Sequence, residues 1–324
     1  MSDGGIREKR NLQAKPYRLA DKIFFRTATM AGYSAIVIIL LVLVFLLQRA
    51  IPVFQEQGLF DFVFGSGWDT STSPPTFSIG PMLYGTLLIA ALGTAIAVPM
   101  AISIAYFIVF IAPRPVAQAA VILVDFLAAI PSVVIGLWGL ITFGPVGARW
   151  AETLNENLGW IPIFSHDGGT FNNSPFIASI VLGIMIVPII ASVTREIFSQ
   201  MDQEVIKASL ALGGNMESTL RRVILPTSAS GIVGGTLLAL GRAMGETVAI
   251  YFVLNLVYDR FNWGMILMPE GGNVASLVLS KFGESSEAEL AGLIAAGVVL
   301  FVVTLIVNAI ASLIVSKAQP WRQD

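Results

Sequence analysis

Residues 203–226 read QEVIKASLALGGNMESTLRRVILP, and the organisation of the whole chain turns on this run. Over Gln203–Leu212 the apolar residues Val205, Ile206, Leu210 and Leu212 recur at helical spacing. Gly213-Gly214-Asn215 then breaks the helix, with glycine where a helix end requires it. Met216–Leu225 resumes with Leu220, Val223, Ile224 and Leu225, and Pro226 is expected to close this second helix. The run lies within Thr194 to Ser230, a polar interval of about 35 residues between two apolar stretches, far longer than a helical hairpin needs. A short amphipathic helix standing off a membrane must cover its apolar face. The bilayer surface could do so, and so could a groove on a soluble partner.

The flanking composition explains why a membrane enters the reading. Of 324 residues, 55% are apolar and only 12% charged, about half the roughly 25% of a soluble chain. So few charges would cover a water-exposed surface poorly, which excludes an ordinary soluble enzyme, a disordered chain and a collagen-like one. Net charge is −2, so no basic excess points to nucleic acid. There is no cysteine, hence no disulfide and no cysteine-bound metal. His166 is the only histidine; it sits in a polar loop and is expected at the solvated surface.

At 1.5 Å per residue, about 20 apolar residues cross the hydrocarbon layer. Six stretches are expected to do so: Ala28–Leu47, Ile79–Ile111, Val116–Phe143, Phe176–Val193, Gly231–Val257 and Leu290–Val315. Pro81 and Pro99 suggest that the second is tilted, kinked or in two pieces. Seven Lys/Arg precede the first span, which has no small-residue cleavage site behind it and reads as a retained anchor. With the N-terminus inside, 14 of the 19 Lys/Arg fall on cytoplasmic segments, and the positive-inside rule then puts both termini in the cytoplasm. The outside loops Pro52–Ser78, Val146–Pro175 and Asp259–Glu289 carry Trp68, Trp150, Trp160 and Trp263, suited to the headgroup level or to a docked partner.

One charge pair is expected deep in the membrane. Arg242 lies about 11 residues into the fifth span, roughly 16 Å deep. Arginine at a helix centre costs roughly 2.5–3.5 kcal/mol on insertion scales, so it persists where the surroundings are polar. In a continuous helix Arg242 and Glu246 are i and i+4 and could pair, while Gly241 and Gly245 would admit another helix. A structural ion pair is one reading. The other is an anion-handling site, since a guanidinium offers bidentate donors to phosphate or sulfate oxygens at any working pH. Glu246 would then be a counter-ion in the empty path and could accept the proton of hydrogen phosphate, which sulfate lacks. Asp125 in the third span is expected as a buried cap or an inter-helix hydrogen bond rather than a path residue.

The run at 203–226 resembles the coupling loop of bacterial ABC-importer permeases, written E-A-A, three residues, G, nine residues, I-x-L-P. Ala208, Gly213, Leu225 and Pro226 match at that spacing, whereas Lys207 stands for the glutamate, with Glu204 one turn upstream. With Leu127–Gly139 (LAAIPSVVIGLWG) and Gly241–Glu246, most of the chain from about residue 20 is similar to the PstC family of phosphate-importer permeases.

The resemblance implies an all-α polytopic protein with six transmembrane helices and the type I ABC-importer permease fold. The expected layout is a cytoplasmic tail over 1–27, a first helix over 28–50, and a permease domain over 79–316. Five helices and the coupling loop at 194–230 belong to that domain, and a tail over 317–324 follows it. The implied partners are a sister permease, two ATPase subunits that hold ATP and Mg, an extracytoplasmic phosphate-binding protein and membrane lipid. Arg242 and Glu246 would belong to the transport path; Glu204, Lys207, Ala208, Gly213, Leu225 and Pro226 would couple to the ATPase. The chain has no G-x-x-x-x-G-K-[ST] loop, so ATP hydrolysis is assigned to the partners and no cofactor to this chain. The readings left open are an ABC permease for another oxyanion, sulfate or molybdate, and then a secondary transporter.

Overall fold

In lipid every backbone amide needs a partner within the chain, and a helix supplies one residue by residue. The computed structural model describes residues 19–166 and 168–317. The expected tails fall outside the described residues up to Arg18 and from Ala318 onward, Arg322 included. Six helical runs are long and apolar enough to span a bilayer. The chain divides into two units, residues 1–48 and 49–324. Helix α1, Leu19–Gln57, starts in the first unit, where Ile36 through Val42 are all exposed.

In the second unit, α2 (Leu59–Phe64) and a two-stranded hairpin, β1 Trp68–Asp69 and β2 Thr76–Phe77, precede the second span. Gln57 holds the hairpin by accepting from the Phe77 amide and donating to the Pro75 carbonyl. Helix α3 (Gly80–Tyr106) runs on into a π turn, Phe107–Ile111. Pro81 lies in its first turn, where no amide partner is lost, and Pro99 lies inside one unbroken helix rather than dividing it.

The third span departs from expectation. Helix α4 (Arg114–Ala129) stops at Ile130, which is extended ahead of Pro131; the proline ring disfavours the helical conformation in its predecessor. The chain resumes as α5 (Ser132–Trp138), a π turn (Gly139–Phe143) and α6 (Gly144–Leu158). The outside loop expected from Val146 therefore begins as helix.

Helix α7 (Pro175–Ser199) is the core, and its crossing with α3 is close enough to exclude side chains. A Cβ on Gly93 would lie 3.0 Å from the Ser179 carbonyl oxygen, and one on Gly183 would lie 3.2 Å from that of Gly93. Small residues let backbones meet where lipid provides no hydrophobic drive.

After α8 (Gln203–Ala211) and α9 (Met216–Thr219), a π turn (Leu220–Ile224) leads directly into α10 (Leu225–Met244). Pro226 sits in the first turn of α10 and does not close a helix: the wide turn ahead of it accommodates the missing amide, so the helical run is continuous. The fifth span then breaks. Gly245 caps α10, and α11 (Val248–Val253) starts anew. A loop leads to α12 (Val274–Phe282), and α13 (Glu287–Lys317) is the last span.

Candidate substrate path and coupling surface

The break at Gly245–Thr247 removes the i, i+4 relation expected of Arg242 and Glu246. Glu246 is 8% exposed, and its Oε1 accepts from the Ala249 amide at 3.3 Å. Its carboxylate thereby satisfies an orphan donor in the first turn of α11. Thr247 is held as well, its carbonyl accepting from the buried Ser276 hydroxyl of α12 at 2.9 Å. Arg242, in the last turn of α10, is exposed. Among the described residues no carboxylate lies within ion-pair distance of its guanidinium. The acid is thus engaged by backbone, and the cation has no counter-charge among the described residues.

The expected close approach at Gly241 and Gly245 is also redistributed. A Cβ on Gly241 would meet the Asn308 carboxamide of α13 at 3.4 Å, while Gly245 faces only carbonyls of its own turn. The tight crossing of α10 lies earlier: Gly231 meets Ile197 and Gly235 meets Val193, both on α7.

Two stretches far apart in sequence come together here. Gly136 of α5 lies under α11, where an added Cβ would be 2.7 Å from the Ala249 Cα. One on Gly139 would be 2.8 Å from Val253. The amide that Glu246 caps is thus in the residue that crosses α5. Beyond the crossing, Gly139, Leu140, Asn172, Asn173, Ile177 and Val253 line an uncharged cavity of about 260 Å³, whose carboxamides offer donors as well as acceptors.

On the coupling side, Asp202 caps α8 by accepting from the Glu204 amide. Gly213 takes φ +87° after the helix end, a conformation open to glycine at little cost. Asn215 and Ser218 form a reciprocal capping box that starts α9. Ser209 and Thr219 join the two short helices through their hydroxyls at 2.9 Å. Lys207, standing for the family's glutamate, pairs with Glu204 at 3.1 Å. Ile206 packs inward, but Val205 is 47% exposed and Leu212 90%; Ala208 and Ala211 are exposed beside them. Leu225 and Pro226 are half-buried in the run to α10. The inner ends meet at a second cluster, in which Ala105, Phe198 and Ile224 are fully buried and the half-buried Tyr106 and Phe110 pack against them.

Three further expectations meet the structure differently. Asp125 is exposed and bonds to no other described residue, so it is neither a buried cap nor an inter-helix hydrogen bond. His166 is half-buried: its ring packs on Phe171, and Nδ1 accepts the Gly168 amide at 3.0 Å. Trp150, Trp160 and Trp263 are exposed as expected, whereas Trp68 donates from Nε1 to the buried Glu289 at 2.8 Å. Sequence reading missed Ser276 and Asn308. Asn308 is the only amide side chain in the apolar run from Glu287 to Leu313, a signal that was available.

The comparisons agree with this architecture. Residues 97–319 match the family described as binding-protein-dependent transport system inner membrane component. The chain is 37% identical over 305 residues to the phosphate transport system permease protein PstC 2 of Mycobacterium tuberculosis, covering 92% of each. It is 34% identical over 291 residues to PstC of Pasteurella multocida, covering 86% of this chain and 89% of that one. Among solved structures, an inward-facing form of the MetNI methionine ABC transporter aligns with a TM-score of 0.52 at 14% identity. That alignment covers 73% of this chain and 94% of the other, and it bears on the fold alone.

Proposed function

From the premise that the chain belongs to the PstC family of phosphate transport system permeases, among the binding-protein-dependent inner membrane components, we propose how it works. It is a multi-pass membrane protein, the permease subunit of an ABC phosphate importer and not the subunit that hydrolyses ATP. Arg242 handles the anion in the transport path. The observation that carries this reading is a permanent cation inside a membrane-spanning run with no carboxylate partner among the described residues. A doubly charged oxyanion supplies the missing charge and the acceptor pairs that a guanidinium fits.

Glu246 completes the site without cancelling it. Its bond to the Ala249 amide keeps the negative charge at α11, and the carboxylate accepts the proton of hydrogen phosphate, which sulfate cannot offer. Glutamine at this position keeps an acceptor for Ala249 and removes the charge. Glu246→Gln is expected to narrow the phosphate-over-sulfate preference about 10-fold, read as sulfate competition in phosphate uptake. An unchanged preference would refute the role.

The remaining subunits follow the family reading: a sister permease, two ATPase subunits carrying ATP and Mg, and an extracytoplasmic phosphate-binding protein, with lipid around the spans and both termini in the cytoplasm. The exposed apolar face of α8 supports an ATPase contact through Val205, Ala208 and Leu212, with the Glu204–Lys207 pair at its rim. Val205→Glu combined with Leu212→Glu should reduce copurified ATPase subunits at least about 10-fold, because charge at the centre of an apolar contact is poorly tolerated. Undiminished recovery with full ATP-driven uptake would remove α8 from the coupling role. The test of the reading as a whole is phosphate uptake by the purified complex in vesicles. Uptake that requires no ATPase subunit would overturn it.

A further inference from the structure

We propose that Asn308 of α13 is a positioning residue for the Arg242 site: its carboxamide accepts from the guanidinium in the empty path and donates to the oxyanion once it arrives. The inference rests on the anion-handling reading of Arg242 and deepens it, because it adds a neutral partner from a second span. Asn308 lies in the apolar run Glu287–Leu313 and Arg242 in the run Met216–Met244. The two helices approach at Gly241, where an added Cβ would stand 3.4 Å from the Asn308 Nδ2. Arg242 is the next residue, its Cα about 3.8 Å from that of Gly241. A guanidinium on its long stem can therefore reach the same carboxamide.

Both groups lack partners. The Asn308 Oδ1 is buried with no hydrogen bond, and its Nδ2 bonds to no other described residue. Thr304, one turn earlier, shows the contrast: its hydroxyl donates to the Leu300 carbonyl of its own helix at 2.7 Å. A buried carbonyl oxygen without a donor costs free energy, and the amides of the surrounding helices are already used. Between Leu237 and Met244, Arg242 is the only side chain of α10 that carries a donor. A half-turn about the last side-chain bond exchanges Oδ1 and Nδ2 within the same volume. The side facing α10 can thus show an acceptor to the guanidinium or a donor to an anion. Neutrality is what suits an amide to this place. A carboxylate here would cancel the charge that draws the anion and repel the anion itself, whereas a carboxamide orients the guanidinium and leaves its charge whole.

The test uses the complete complex in vesicles and reads the maximal rate of labelled phosphate uptake beside the yield and thermal midpoint of the complex. Asn308→Leu keeps the volume and removes both polar ends. Its maximal rate should fall about 10-fold, as for one lost hydrogen bond to a charged group. Yield and midpoint should hold or rise, because a buried atom without a partner is removed too. Asn308→Asp still accepts from arginine, yet its rate should fall about 100-fold, since the new charge occupies the guanidinium and repels the anion. A hydrogen bond of purely structural value would give the reverse order. In an Arg242→Lys background, where the fork is already gone, Asn308→Leu should cost less than about 3-fold. Full uptake by Asn308→Leu overturns the proposal, and so does an Asn308→Asp rate above that of Asn308→Leu or an equal loss in both backgrounds. If Arg242→Gln itself leaves uptake intact, the reading of Arg242 falls and the role of Asn308 with it. If Arg242→Gln abolishes uptake and Asn308→Leu does not lower it, only the role of Asn308 falls.

Discussion

Arg242→Gln is expected to lower phosphate uptake at least about 100-fold, with the complex still recovered whole. The magnitude follows from the bonds lost: each charge-assisted hydrogen bond contributes about 1.5–3 kcal/mol, and a bidentate clamp makes two. At about 1.4 kcal/mol per factor of ten, the lower end of that range already gives two decades. Arg242 is exposed and carries no internal ion pair, so its removal leaves no buried charge behind and folding should be little affected. Arg242→Lys keeps the charge but loses the planar fork, and should recover only part of the rate. The measurement is initial uptake of labelled phosphate, set against the yield of intact complex. Uptake within about three-fold of the parent would remove Arg242 from the path.

Gly136→Val is expected to be the most damaging substitution away from the charges. A Cβ at Gly136 would stand 2.7 Å from the Ala249 Cα and 3.2 Å from the Phe252 ring. The Phe252 ring can turn aside, but the backbone of α11 cannot. Overpacking costs about 1–3 kcal/mol where side chains can adjust, and more where main chain must move. A drop of about 5–10 °C in the thermal midpoint of the purified complex is expected. Uptake should fall too, since displacing α11 carries the Ala249 amide away from Glu246. Gly297→Ala is the control. Nothing lies within 4 Å of its added methyl, so it should be neutral or stabilise by up to about 1 kcal/mol. Equal behaviour of the two variants would mean that α5 and α11 do not cross closely in the assembled protein.

The spans were legible because 3.6-residue periodicity and length are local properties of a chain. All six expected stretches overlap a helical run, and the helix–glycine–helix turn at 213 is present with the left-handed backbone its glycine allows. The errors lie where an apolar run continues through a change of backbone. Ile130–Pro131 and Gly245–Thr247 interrupt stretches whose hydropathy gives no warning. At the first, Pro131 was the available local signal. At the second, the interruption depends on distant groups: the Ser276 hydroxyl donates to the Thr247 carbonyl from nearly thirty residues away. The pairing of Arg242 with Glu246 failed with the helix that would have aligned them. What could not be read at all was the meeting of Gly136 with Ala249, because a small residue looks the same whether it faces lipid or another backbone.

The two ends of the fifth span are built differently, and this has a mechanical consequence. At the inner end, Phe198 and Ile224 are each fully enclosed, so under the proposed coupling role a stroke applied to the short helices would reach three spans together, like a crank keyed to its shaft. At Gly245–Thr247 the same rod ends in a joint secured by one carboxylate and one hydroxyl. Under that role the inner half would pivot at this joint while α11 stays docked on α5. A permease that works as proposed would keep its outer door shut during the power stroke.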